Sequence, residues 1–286
     1  MDLEFTKMHG LGNDFIVIDD RDSELDFDPD AIQWLCDRHF GVGADGLILV
    51  RPATVQGADF FMAYFNADGT SAEMCGNGIR CFAKYLVDNG LVAGDRLSVQ
   101  TLGGLYEIEI ARDDRGLLEV ATVDMGEPIL EPALIPTTLE GEGSVVAVPI
   151  QIAGGSWEVT CVSMGNPHAI IWVDDVDDAP VATLGPLVET HPAFPNKTNV
   201  EFASVTAQGV IRLRVWERGV GETLACGTGA CATLVAASLA GLVDREAAIE
   251  LPGGELVVRW GEDGRVSMSG PAETVFAGAI ALDDEA

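Results

Sequence analysis

The feature that most constrains this chain is stated twice: a cysteine set directly ahead of a glycine-rich turn that opens a helix. Met74-Cys75-Gly76-Asn77-Gly78-Ile79-Arg80-Cys81 leads into a helix expected to end at Asn89-Gly90. Ala225-Cys226-Gly227-Thr228-Gly229-Ala230-Cys231 leads into one expected to run to about Ala240. Cys75 and Cys226 stand 151 positions apart, and so do Asn66 and Glu217, each nine residues before its cysteine. Gly12-Asn13 and Gly165-Asn166 are 153 apart, and Gly103-Gly104 and Gly253-Gly254 are 150 apart. Landmarks in one order at a nearly constant offset imply internal duplication. The fold expected is α+β, with two pseudo-symmetric domains. Each is a curved mixed or antiparallel sheet wrapped around a central helix, with the active site in the interdomain cleft. The second helix, with Ala230, Cys231, Ala232, Leu234, Val235, Ala236, Ala237 and Leu239, is apolar nearly all round. Such a helix has to be wrapped rather than laid on a surface.

The first half-domain, carrying Cys75, is expected over residues 1–126 plus 272–286, and the second, carrying Cys226, over 127–271. Pro128, Pro132 and Pro136 mark a linker between them. Asp28-Pro29 opens a further helix, with aspartate as cap and proline in the first turn, and Gly41 and Gly43 are expected to end it. A closing strand over Thr274 to Leu282, able to pair with either half, is grouped with the first.

Composition excludes several functions. Forty-six acidic against 16 basic residues give a net charge of -30. Such a surface repels nucleic acid and anionic membrane, because binding there needs phosphate neutralisation. The acids are spread along the chain, with only Asp283-Asp284-Glu285 resembling a tail, which reads as a salt-adapted surface from a cell with a high-salt cytoplasm. No apolar signal core opens the sequence. The longest apolar-rich run, about Ala230 to Val243, is too short to span a bilayer, so a cytoplasmic protein is expected. The six cysteines are not a disulfide framework in a chain of this size and kind. No CxxC pair is present, so no metal site is expected.

The first turn of a helix carries N–H groups without intrahelical acceptors and a partial positive charge. A thiol there is expected to have a lowered pKa, and the same N–H groups bind a carboxylate. Two such helix starts acting on one carboxylate would set two thiols on opposite faces of the adjacent carbon. One thiolate could take the α-proton while the opposite thiol returns one, inverting the carbon without a cofactor. Other readings compete. Cys75 and Cys226 could form a redox pair, or the turns could belong to a small-molecule binding module. Cys36, Cys81, Cys161 and Cys231 read as small buried hydrophobes.

A resemblance bears on this choice. His9-Gly10-Leu11-Gly12-Asn13-Asp14-Phe15, Asn66-Ala67-Asp68-Gly69, Cys75-Gly76-Asn77-Gly78, Gly165-Asn166-Pro167-His168 and the run Glu217 to Gly229 resemble the diaminopimelate epimerase family. The resemblance extends from Phe5 to about Pro271. It implies an isomerase that interconverts LL- and meso-2,6-diaminopimelate without pyridoxal phosphate or any other cofactor. That activity belongs to lysine biosynthesis, in a cytoplasmic homodimer acting on a small amino acid. By motif, Cys75 and Cys226 match the catalytic thiols. Gly76, Asn77, Gly227 and Thr228 match the turns that hold the reacting carboxylate. Asn13, Asn66, Asn166, Asn199, Glu217 and Arg218 match the substrate-holding set, and His168 and Glu217 match groups that tune the thiols. Some members carry Gln where this chain has Gly46, so a side-chain contact from that position is missing here. The runner-up is a proline racemase-like enzyme on the same fold. Its substrate lacks a distant ionic end, which would leave Glu217, Arg218 and Asn199 idle.

Overall fold

The computed structural model describes residues 2–282, so the acidic tail expected at Asp283-Asp284-Glu285 lies outside the described residues. Two compact units are present: Met1–Val123 with Gly270–Ala286, and Asp124–Ser269. We call them unit one and unit two.

Unit one opens with β1 (Asp2–Gly10) and β2 (Asn13–Asp19), joined by a tight turn in which Leu11 and Gly12 both take positive φ. Then come α1 (Pro29–Cys36), β3 (Gly46–Pro52), β4 (Phe60–Asn66), α2 (Gly76–Asp88), β5 (Arg96–Thr101), β6 (Gly104–Arg112) and β7 (Leu118–Asp124). The sheet is mixed. β2 runs parallel to β3 and β4 parallel to β5, while β1–β2, β3–β4, β5–β6 and β6–β7 are antiparallel.

Unit two contains β8 (Val145–Ile152), β9 (Gly155–Ser163), β10 (Pro167–Trp172), α3 (Val181–Glu189), β11 (Asn199–Val205), β12 (Ile211–Glu217) and the short β13 (Gly221–Thr223). It continues with α4 (Gly227–Leu239), β14 (Glu246–Leu251), β15 (Gly254–Trp260) and β16 (Val266–Gly270). β10 is parallel to β11, β11 antiparallel to β12, β12 parallel to β14, and β14 antiparallel to β15. This repeats the order of senses found from β2 to β6. The closing strand β17 (Glu273–Ala281) pairs antiparallel with β1, which assigns it to unit one.

Each sheet wraps one helix. α2 packs against β1 to β4 and β17, and α4 against β9 to β12, β14 and β15. α4 is buried from Ala230 to Ala237, as its all-round apolar sequence requires. α2 is different: Arg80 and Lys84 are buried on it. Arg80 donates to the carbonyls of Gly76 and Pro271 and to Asn77 Oδ1. Lys84 donates to Leu118 O and pairs with Asp88. Both cations are thereby satisfied where water cannot reach them.

Two expectations need correction. α1 stops at Cys36 rather than at the glycines, because Asp37 turns the backbone extended and its Oδ1 accepts the His39 and Phe40 N–H groups. This aspartate turn competes with further helix. The segment holding Pro128, Pro132 and Pro136 is not a free linker. Ile129 bridges to Ser163, and Ile135 is wholly buried in the core of unit two.

Candidate active site

In unit one, α2 starts where Cys75 leaves helical geometry, at φ -138° and ψ 118°. Its Sγ accepts the Gly78 N–H at 3.4 Å and so caps the helix itself. A Cβ on Gly78 would stand 3.3 Å from the Cys75 Cβ, a tight contact that the cysteine would have to yield to. Cys75 Sγ also donates to Asn13 Oδ1 at 3.7 Å. That oxygen is held in place from two sides. Asn77 Nδ2 donates to it at 3.2 Å, and Asn13 Nδ2 donates to Asp45 Oδ2 at 2.8 Å. Behind Asp45 lies a charged cluster in which Arg38 bridges Asp14 and Asp45, and the buried Lys7 pairs with Asp14 at 2.6 Å and donates to Gly43 O. Burial alone would raise the Asp14 pKa. The Arg38 and Lys7 contacts outweigh it and hold the carboxyl well below the usual carboxylate range.

In unit two the geometry recurs. Cys226 caps α4 at φ -126° and ψ 112°, with Sγ accepting the Gly229 N–H at 3.4 Å. Thr228 Oγ1 lies 3.5 Å from the sulfur, and the Glu217 side chain hydrogen-bonds it. The lowered pKa expected at this helix start is not found. Burial, then the charges of Glu217 and Glu201, push the Cys226 thiol well above its ordinary value, against the smaller pull of Thr228 and the Gly229 N–H. The helix-end effect is worth about 0.3–1 kcal/mol, too little to offset desolvation plus two carboxyls. Burial also raises Glu217, against hydrogen bonds from Thr223 (2.5 Å) and Cys226.

The remaining expected residues divide by what they touch. Asn166 Nδ2 donates to Thr228 Oγ1 at 3.2 Å, and His168 Nε2 lies 3.0 Å from Asn166 Oδ1. Both therefore join the Cys226 half-site. Asn66 accepts from the Tyr64 hydroxyl and donates to Thr70. Asn199 is occupied by its own unit's backbone, donating to Pro167 O and accepting the Arg218 N–H at 2.8 Å. The Arg218 guanidinium is exposed and donates to Asn196 O. Gly76, Asn77, Gly227 and Thr228 form the first turns of the two capped helices. The other four cysteines are buried, and desolvation pushes Cys36 up to about 11 and Cys81 and Cys161 up to about 12.

Position 46 has no room for a side chain. A Cβ there would stand 2.6 Å from Phe65 O and 2.7 Å from the Tyr64 ring. Tyr64 fills that space and holds Asn66, at 3.1 Å from its Oδ1. Sequence reasoning missed Lys7, Arg38, Asp45 and Glu201. The one legible signal was Glu201, a charge inside the apolar strand Val200-Glu201-Phe202-Ala203.

Solved structures share the fold. A hydroxyproline epimerase from Agrobacterium vitis matches at TM-score 0.71 and 18% identity, over 99% of this chain and 92% of that one. A probable proline racemase from Agrobacterium radiobacter matches at TM-score 0.72 and 18% identity, over 98% and 93%. The chain thus shares its fold with these two proteins. At the level of sequence, a family profile described as diaminopimelate epimerase matches residues 5–131 and 160–275. The diaminopimelate epimerase of a Synechocystis strain is 52% identical over 281 residues, 97% of this chain and 99% of the relative. That of Leptospira biflexa is 45% identical over 282 residues, 99% and 100%. The chain belongs to the diaminopimelate epimerase family.

Proposed function

We propose that the protein interconverts LL- and meso-2,6-diaminopimelate by a two-base mechanism, in lysine biosynthesis. The observation that carries this reading is the pair of thiols. Each caps the start of a 13-residue helix through its own sulfur, in a chain of this family. In the reaction, one sulfur removes the α-proton as thiolate and the other delivers a proton from the opposite face. N–H groups in the turns Gly76-Asn77 and Gly227-Thr228 stabilise the charge that develops on the reacting carboxylate. Asn13 and Asn166 are the amides nearest the two thiols. Arg218 takes the distant carboxylate as a planar fork, and Asn199 contributes by fixing the Arg218 backbone. The two thiols supply the acid and the base, so no cofactor enters the scheme.

Purified protein given LL-diaminopimelate in heavy water, without pyridoxal phosphate, is expected to form the meso isomer with deuterium at the inverted carbon. Deuterium entering proline instead would favour the racemase reading, and none entering either would sink both.

The protein is further proposed to be a salt-adapted homodimer of the cytoplasm. Among the described residues no helix is long and apolar enough to cross a membrane. On a chain of net charge -30, the run Thr274–Ala281 of β17 carries no charge and exposes Val275 (54%) and Phe276 (48%). An exposed uncharged strand on so acidic a chain suits a second copy better than solvent. Sedimentation and circular dichroism across a salt series are expected to show a folded dimer at high salt and loss of structure in dilute buffer, where repulsion is unscreened. A folded monomer at every salt concentration would remove both statements.

A further inference from the structure

The two units repeat one strand register and differ in what fills it. In unit one the β2–β3 ladder pairs Phe15 with Gly46 and Val17 with Ile48. In unit two the β10–β11 ladder pairs His168 with Asn199 and Ile170 with Glu201. Phe15 and His168 each lie two residues after a half-site asparagine. Ile48 and Glu201 occupy the same step of the neighbouring parallel strand. Each also lies under its cysteine turn: a Cβ on Gly78 would meet Ile48 Cδ1 at 3.3 Å, and one on Gly229 would meet Glu201 Oε1 at 2.9 Å. All four side chains are wholly buried. Unit one closes this frame with two hydrocarbons, so packing does not demand an acid and an imidazole in unit two. The acid is also costly there, because Glu201 Oε2 is buried without a hydrogen-bond partner among the described residues.

We infer that Glu201 is a positioning residue for the Cys226 thiol, acting through His168, Asn166 and Thr228. The contacts form one line. Glu201 Oε1 lies 2.6 Å from His168 Nδ1, and His168 Nε2 lies 3.0 Å from Asn166 Oδ1. Asn166 Nδ2 then donates to Thr228 Oγ1 at 3.2 Å, and that oxygen lies 3.5 Å from Cys226 Sγ. Because Asn166 spends its N–H on Thr228, its oxygen must accept from His168 Nε2–H. Glu201 therefore meets the other ring nitrogen, and the two contacts together fix the ring's orientation. Four groups bear on the sulfur: the Glu217 carboxyl, the Glu201 carboxyl, the Thr228 hydroxyl and the Gly229 N–H. Beyond burial, the Glu217 carboxyl and then the Glu201 carboxyl disfavour the thiolate. At the matching step of unit one stands the hydrocarbon Ile48, so the two frames differ in charge there.

The inference rests on the reading that Cys226 is one of two working thiols, and the test separates the two. Glu201→Gln keeps the shape and removes the acid. In a Cys75→Ala background, the pH at which iodoacetamide alkylation of Cys226 reaches half its maximal rate is expected to fall by about one unit, a tenfold change in thiolate at a given pH. With both cysteines present, the same substitution is expected to lower epimerisation about tenfold or more while circular dichroism stays unchanged. His168→Phe with Glu201→Ile, which copies the unit-one pair, is expected to fold and to lose activity at least as far. An active wild type whose Glu201→Gln variant matches it in rate and alkylation midpoint overturns the inference. A wild type with no epimerase activity overturns the proposed function instead, and there an unchanged midpoint still overturns the role of Glu201.

Discussion

Cys75→Ala and Cys226→Ala should each lower epimerisation in both directions by about 10²–10⁴-fold or more, because each sulfur is the base for one isomer and the acid for the other. The two variants should nevertheless differ. The remaining thiolate can still take the α-proton from the isomer that presents it and return deuterium from solvent to the same face. Each variant is thus expected to label one isomer without inverting it, and the labelled isomer should be opposite in the two. Stereospecific nuclear magnetic resonance of the products reads this directly. If either variant inverts substrate at the wild-type rate, the two-base reading is wrong. The caps make these substitutions informative, since each sulfur also accepts a helix-start N–H. Cys→Ser, which restores a capping acceptor, should recover stability but little turnover.

Asp14→Ala should lower stability by about 3–5 kcal/mol, because among the described residues it leaves the buried Lys7 ammonium with the Gly43 carbonyl as its hydrogen-bond partner. A loss below about 1 kcal/mol in denaturant melts would mean the cluster behaves as an exposed pair and the argument fails. Pairing Lys7→Met with Asp14→Leu should recover much of the loss, since an apolar pair replaces a buried ionic one at little cost. The pH dependence has a definite sign. The folded-state pKa of Asp14 is depressed, so its contribution is fully present above the ordinary aspartate value near 4 and is lost as pH falls toward the folded value. Asp14→Asn should flatten that acid limb. Activity should suffer as well, because Asn13 hangs from Asp45, which shares Arg38 with Asp14.

What the sequence by itself determined was local or periodic. The cysteine caps, the glycines after them, the aspartate-proline start of α1 and the wrapped helix α4 follow from backbone sterics and hydrophobic pattern over a few residues. The shared offset of 151 pointed to two units, and each of the two compact units carries one cysteine-capped helix. Tertiary structure alone decided the electrostatics. Lys7, Asp14, Arg38 and Asp45 meet only because β1, β2 and the loop between α1 and β3 converge behind Asn13. Glu201 and Glu217 reach Cys226 only because β11 and β12 bring them to the start of α4. A cysteine at a helix start reads as acidic when only its own helix is considered. Its burial and its two carboxyl neighbours reverse the sign, because desolvation and Coulomb energy depend on groups near in space and remote in sequence.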